Sequence, residues 1–232
     1  MRMAPPPRTE VERHDLIFRL AHWAIFIEGA VLVLTGFQLG GILGGALLPL
    51  SNVTLHVLVG VAFMATAGVY AIGILSSGDY RWVGLGRIPY SLNFILKETK
   101  GWFGIAPPPS NPVAYDQEKG AYEEKMIPSV IVVFWAFALL GIVLALTGLA
   151  LAFPQTFWFV YIFTDFIGGT LTGVTGMSFM LTFHLLVTFA LIVLVMMHVY
   201  ASFLFKLVGS MITGKRKELL VRPKVAASSD KP

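Results

Sequence analysis

The chain has 232 residues, of which 56% are hydrophobic and 13% charged, with a formal net charge of +4. A soluble domain of this size could not bury so much apolar side chain, so membrane helices are required. The chain contains no cysteine, which excludes disulfides, cysteine-ligated iron–sulfur clusters and covalently attached haem.

Residues 1–14 are polar, with three prolines and several arginines, and read as a flexible or surface arm. Apolar runs able to cross a hydrocarbon core about 30 Å thick follow at 20–39, 53–75, 127–153 and 179–208. A cleaved signal peptide is the alternative for the first run, which is long for one and carries His22. The connection 76–126 is the one sizeable extramembrane piece. Its Tyr80, Trp82, Tyr90 and Trp102 suit the headgroup layer, and its pattern predicts an amphipathic surface helix over 91–100. The stretch APPPSNP at 106–112 ends any helix. Segment 154–178 reads as an outer loop; the alternative makes 155–176 a fifth span carrying Asp165 and four glycines. The expected architecture is an all-α, four-transmembrane-helix bundle over residues 1–217, with a basic cytoplasmic tail at 218–232.

All 17 Lys and Arg residues lie before or at the start of the first span, between the second and third, or from Lys206 onward. With four spans these segments share one side, so the positive-inside rule makes both termini cytoplasmic in an inner membrane.

Four of the five histidines lie in the apolar runs. His184 and His198 are fourteen residues apart, about 40° short of four turns, so both rings leave one face about 21 Å apart along the axis. One metal cannot span that distance, but two stacked sites can. By depth, His56 pairs with His184 near the outer surface and His22 with His198 near the inner one. Two imidazoles at each level suit two b haems with bis-histidine ligation, and helical bundles build such sites from facing side chains. Gly29 and Gly36 follow His22 at steps of seven, Gly60 follows His56 by a turn, and Gly141 and Gly148 lie seven apart in the third run, making room for close approach. The bland alternative is histidines that only bond neighbouring helices; a metal-transport path is another. His14 lies outside the spans and reads as a surface or interface residue. Glu28 is rotated by about 240° from His22, off the haem face, and is either a proton relay or a bond to a partner helix.

RHDLIFRLAHWAIFIEGAVLVLTG (13–36) resembles the first helix of the di-haem cytochrome b subunits of membrane formate dehydrogenases, with Arg19, His22, Trp23, Thr35 and Gly36 in the matching places. MMHVYASFLFKLVGSMITGK (196–215) is similar to that family's fourth-helix ending, where two haem histidines have the same spacing. Cytochrome b subunits of nickel–iron hydrogenases look alike at this level. The resemblance implies that His22 and His198 ligate the inner haem iron, and His56 and His184 the outer one. It implies an iron–sulfur electron-transfer subunit and a large catalytic subunit on the outer face, and menaquinone or ubiquinone as acceptor. AYDQEKG (114–120) is similar to the family's quinone loop in Tyr115 and Lys119, but is one residue shorter, has Asp116 where Asn is expected, and lacks a glycine before Glu118.

Titratable groups gather on the inner side: His14 and Asp15 before His22, and Asp116, Glu118 and Lys119 in the loop. Quinone is therefore expected near His14, Asp15, Tyr115, Asp116 and Lys119, drawing protons from the cytoplasm. Arg13 and Arg19 are expected to offset the inner haem's propionates. The outer loops hold no Lys or Arg, leaving solvent, Ser51, Asn52, Thr54 or a partner's basic residue for the outer ones. Nothing in the chain oxidises formate or hydrogen, and no nucleic-acid partner is expected. A membrane anchor with structural or no haem, and a transporter, are the readings from other classes.

Overall fold

The computed structural model describes residues 7–44 and 52–221. In chain order the elements are β1 (Arg8–Glu12), α1 (Leu16–Leu39), α2 (Asn52–Ser76), α3 (Tyr80–Val83), a 3-10 turn at Leu85–Arg87, α4 (Ile88–Trp102), β2 (Ala114–Asp116), β3 (Ala121–Glu124), α5 (Ser129–Ala152), α6 (Trp158–Thr172), α7 (Gly176–Leu204), α8 (Val208–Thr213) and β4 (Lys215–Leu219). They form two compact units, one of residues 15–80 and 133–208, the other of residues 7–14, 81–132 and 209–221 among those described.

The first unit is helical. Among the described residues, four helices are long and apolar enough to cross a membrane: Leu16–Leu39, Asn52–Ser76, Ser129–Ala152 and Gly176–Leu204. Each satisfies its backbone internally, the condition for standing in lipid. Helix α1 starts where the Asp15 carboxylate accepts the Phe18 N–H at 2.7 Å, an N-cap that satisfies one orphan donor. Helices α1 and α2 pack through Phe18 and Tyr70, whose ring centroids are 4.5 Å apart, and through the Thr66 hydroxyl, which donates to Glu28 at 3.0 Å. Glu28 thus bonds a partner helix. Exposed Leu, Ile, Val and Phe side chains run along the spans, as lipid-facing surfaces require.

Segment 154–178, read from the sequence as an outer loop without Lys or Arg, is largely helical. It contains α6, whose fifteen residues reach about 22 Å and fall short of a bilayer core, which also disfavours the fifth-span alternative. Three contacts hold it. Val160 joins Ala150 and Met180 in a buried cluster, the Asp165 carboxylate accepts the Gly176 N–H at 2.6 Å, and Gly168 sits against the Val174 carbonyl and the Phe179 ring. Asp165 is therefore a turn-binding residue rather than a stray intramembrane acid.

The second unit differs from the sequence reading in several places. Residues 8–12 are not a loose arm: β1 pairs antiparallel with β4, Arg8 opposite Leu219 and Glu12 opposite Lys215. Strand β4 also carries order past the 217/218 boundary into the expected tail. The fold is mostly helical rather than purely so, since β2 and β3 form a second small ladder. Helix formation over 91–100 extends to Ile88–Trp102 because Pro89 is accommodated in the first turn, where it lacks no needed donor. Phe94, Val113 and Ile127 form a buried core with Tyr122 and Val130 against it.

Candidate functional site

The first unit gathers all four intramembrane histidines into two pairs. His22 on α1 faces His198 on α7 with ring centroids 6.2 Å apart and planes inclined by 47°. His56 on α2 faces His184 on α7 at 6.4 Å and 72°. The pairing expected from depth is therefore present as contacts between rings. Phe137 lies edge-on to His198 at 5.5 Å, and Trp23 edge-on to His22 at 5.7 Å.

The His56–His184 pair is seated by two threonine–glycine steps. Thr35 Oγ1 lies 2.8 Å from His56 Nδ1, and Thr147 Oγ1 lies 2.7 Å from His184 Nδ1. The glycine after each threonine lets the ring approach the helix. A Cβ at Gly36 would stand 3.2 Å from His56 Cε1, and one at Gly148 3.4 Å from His184 Cε1. In the sequence Thr35 stands out only in the close of the first-helix motif and Thr147 not at all, while Gly36 and Gly148 stand out as small residues at steps of seven. The signal that finds them together is a repeated pattern, L-x-L-T-G-x-x-L, at 32–39 and 144–151.

Two imidazoles bound to one ion at about 2.0 Å each have centroids about 6.2 Å apart, since a ring nitrogen lies about 1.1 Å from the centroid. The observed 6.2 and 6.4 Å match that requirement. Among the described residues no group of three or more His, Asp or Glu converges on a common point. Each pair therefore suits a metal whose other ligands arrive with it, as in a haem macrocycle, rather than a bare ion.

The remaining sequence-derived residues fall in both units. Arg13 lies in the second unit. It is ion-paired with Glu218, their side chains 8% and 5% exposed, and donates to the Lys125 carbonyl at 2.6 Å. With a carboxylate already opposite, its charge is compensated where it stands. Arg19 Nε donates to the Asp15 carbonyl at 3.3 Å, while the Asp15 carboxylate serves as the α1 cap. The His14 N–H donates to the Gly214 carbonyl at 3.2 Å. Tyr115, Asp116 and Lys119 share the β2–β3 hairpin. Asp116 accepts from the Glu118 and Lys119 N–H groups at 2.9 and 3.1 Å, and Lys119 Nζ stands 2.8 Å from its other oxygen. The Lys119 side chain bonded to Asp116 holds that carboxyl below its ordinary range. Tyr115 meets Tyr122 edge-on at 5.1 Å. Asn52 and Thr54 lie in the first turn of α2, four and two residues before His56; Ser51 lies outside the described residues.

A family model described as prokaryotic cytochrome b561 matches residues 13–214. The chain belongs to the prokaryotic cytochrome b561 family. No curated protein and no solved structure gave a match. Membership brings haem b binding, membrane electron transfer and association with other subunits of a redox enzyme complex. The four apolar helices of this cytochrome b make it an integral membrane protein.

Proposed function

We propose that this cytochrome b is the quinone-reactive, membrane-anchoring subunit of a respiratory complex and holds two b haems. His22 and His198 ligate the inner iron, His56 and His184 the outer one. The observation that supports the reading is the pair of ring separations, 6.2 and 6.4 Å, at which two imidazoles from different helices could each hold one metal between them. Bound there, the haems supply one-electron carriage between an iron–sulfur partner on the outer face and menaquinone or ubiquinone.

The chain's own residues supply orientation, insulation and proton handling. The threonine–glycine steps aim the outer rings. Trp23, Phe137 and the lipid-facing side chains exclude water from the sites. His14, Asp15, Tyr115, Asp116 and Lys119 receive the quinone and its protons on the cytoplasmic side, where both termini lie, and Arg19 offsets inner propionates. The charge distribution along the chain supports that sidedness. The resemblance of 13–36 and 196–215 to formate dehydrogenase subunits favours a formate dehydrogenase as the donor complex. The second reading is the cytochrome b of a nickel–iron hydrogenase or of another molybdenum or sulfur oxidoreductase, whose subunits look alike at this level.

Pyridine haemochrome assay of the purified chain tests the count. Two haems per chain are expected, one lost on His56→Ala or His184→Ala and the other on His22→Ala or His198→Ala. A stoichiometry of one or none in the intact protein refutes the di-haem reading. Mass spectrometry of the co-purified large subunit, with formate- and hydrogen-dependent dye reduction, separates these donors.

A further inference from the structure

Thr35 and Thr147 occupy equivalent places in the two copies of L-x-L-T-G-x-x-L. Both are buried, at 0% and 2% exposure. Each donates its one hydroxyl hydrogen to the carbonyl four residues back, Thr35 to Val31 and Thr147 to Val143, both at 2.7 Å. Such back-bonds are ordinary in this chain, for example Thr164 to Val160, Thr182 to Ser178 and Thr188 to His184. What separates Thr35 and Thr147 is a second bond, from the hydroxyl oxygen to an imidazole.

With the carbonyl taking the hydroxyl hydrogen, Oγ1 is left to accept, and the tautomer that bares Nε2 for a metal places its Nδ1–H on that oxygen. Both His56 and His184 are thereby held in the tautomer that presents the Nε2 lone pair. A hydrogen bond accepted from Nδ1–H also pushes electron density into the ring and makes it a stronger donor to a metal, favouring the oxidised ion. The inner level is built differently. His22 Nδ1 is buried with no hydrogen-bond partner. The hydroxyl near His198, that of Ser202, donates to the His198 carbonyl at 2.8 Å and not to its ring.

We propose that Thr35 and Thr147 are paired positioning residues that hold the two outer ligands and set the outer haem at a lower potential than the inner one. A preference for inward electron transfer is thus written into the ligands' hydrogen bonds. The proposal rests on the di-haem reading above.

The test uses the full chain in membranes with its partners, and redox titration of the b-type absorption bands together with low-temperature electron paramagnetic resonance. In the wild type the lower-potential component should be the one lost in His56→Ala. Thr35→Val and Thr147→Val each keep the side-chain shape and remove the acceptor. Each should raise that component's potential, change its low-spin g-values and leave the other component unmoved. The double variant should shift it further, to a tenfold or greater change in the oxidised-to-reduced ratio, about 59 mV for a one-electron couple. Thr35→Ser, which keeps the hydroxyl, should restore the wild-type signature. If a valine variant loses the outer component altogether, retention of that component in the serine variant still supports the proposal. Three results overturn it: unchanged potentials in the double variant, a shift confined to the component lost in His22→Ala, or serine behaving as valine. A wild type with fewer than two components refutes the underlying di-haem reading instead.

Discussion

Adding one methyl group at each of the two glycines beside the outer ligands should have unequal effects. At Gly36 the new Cβ would stand 3.2 Å from His56 Cε1, whereas at Gly148 it would stand 3.4 Å from His184 Cε1. Comfortable carbon–carbon contact begins at about 3.5–4.0 Å, so the His56 ring must retreat by about 0.3–0.8 Å and the His184 ring by about 0.1–0.6 Å. The Thr35–His56 bond starts at 2.8 Å, and a retreat of the larger size carries it toward about 3.5 Å, where little of it survives. Overpacking costs about 1–3 kcal/mol, and replacing a mid-helix glycine by alanine returns about 1 kcal/mol. Gly36→Ala should therefore be neutral to about 2 kcal/mol destabilising and should shift or bleach the outer haem signal. Gly148→Ala should be neutral or slightly stabilising with a nearly native spectrum. Thermal unfolding of the detergent-solubilised chain, read beside its reduced-minus-oxidised spectrum, measures both. Equal melting shifts with unchanged spectra in both variants would refute the claim that glycine at 36 is set by the imidazole beside it.

Cysteine placed at Gly44 or Thr172 should react with an impermeant thiol reagent added outside intact cells, and cysteine at Ser110 should not; the reverse pattern overturns the sidedness. Burial pushes the Tyr122 hydroxyl up to about 12, with Arg13 opposing and Glu218 reinforcing, against about 10 in the unfolded chain. A raised value means the unfolded chain loses this proton first, so stability is undiminished below about pH 10 and falls as pH rises through about 12. Tyr122→Phe should flatten that alkaline limb in a denaturation series, and an unchanged limb contradicts the assignment. Asp15→Asn keeps the α1 cap but removes the titrating group, and Asp116→Ala removes the hairpin carboxylate. Each should slow quinone reduction while both haems remain reducible by the donor, and wild-type turnover in both variants moves the quinone site elsewhere.

Periodicity and composition were sufficient for the spans, because a bilayer demands about twenty apolar residues whatever they pack against. Observed ends differ from the expected 20–39, 53–75, 127–153 and 179–208 by no more than four residues. The histidine levels were legible for the same reason: helical rise and angle convert sequence spacing into depth and face without knowledge of any neighbour. Other features depend on partners distant in sequence. Arg13 reads as a free cation until Glu218, 205 residues away, is seen beside it. Residues 8–12 read as an arm because a strand at a terminus has no pattern of its own until Lys215–Leu219 pairs with it. Segment 154–178 reads as an outer loop because it holds no Lys or Arg, and its helix is held by Asp165 and by Gly168 against residues that follow it. Thr147 was invisible singly, since a threonine in an apolar helix is most often only back-bonded to its own backbone. Its role appears when α5 and α7 pack and place His184 Nδ1 within 2.7 Å of the hydroxyl. Local rules could thus identify which residues carry chemistry and at what depth. Only tertiary contacts decided which nitrogen of each outer histidine is held, and by what.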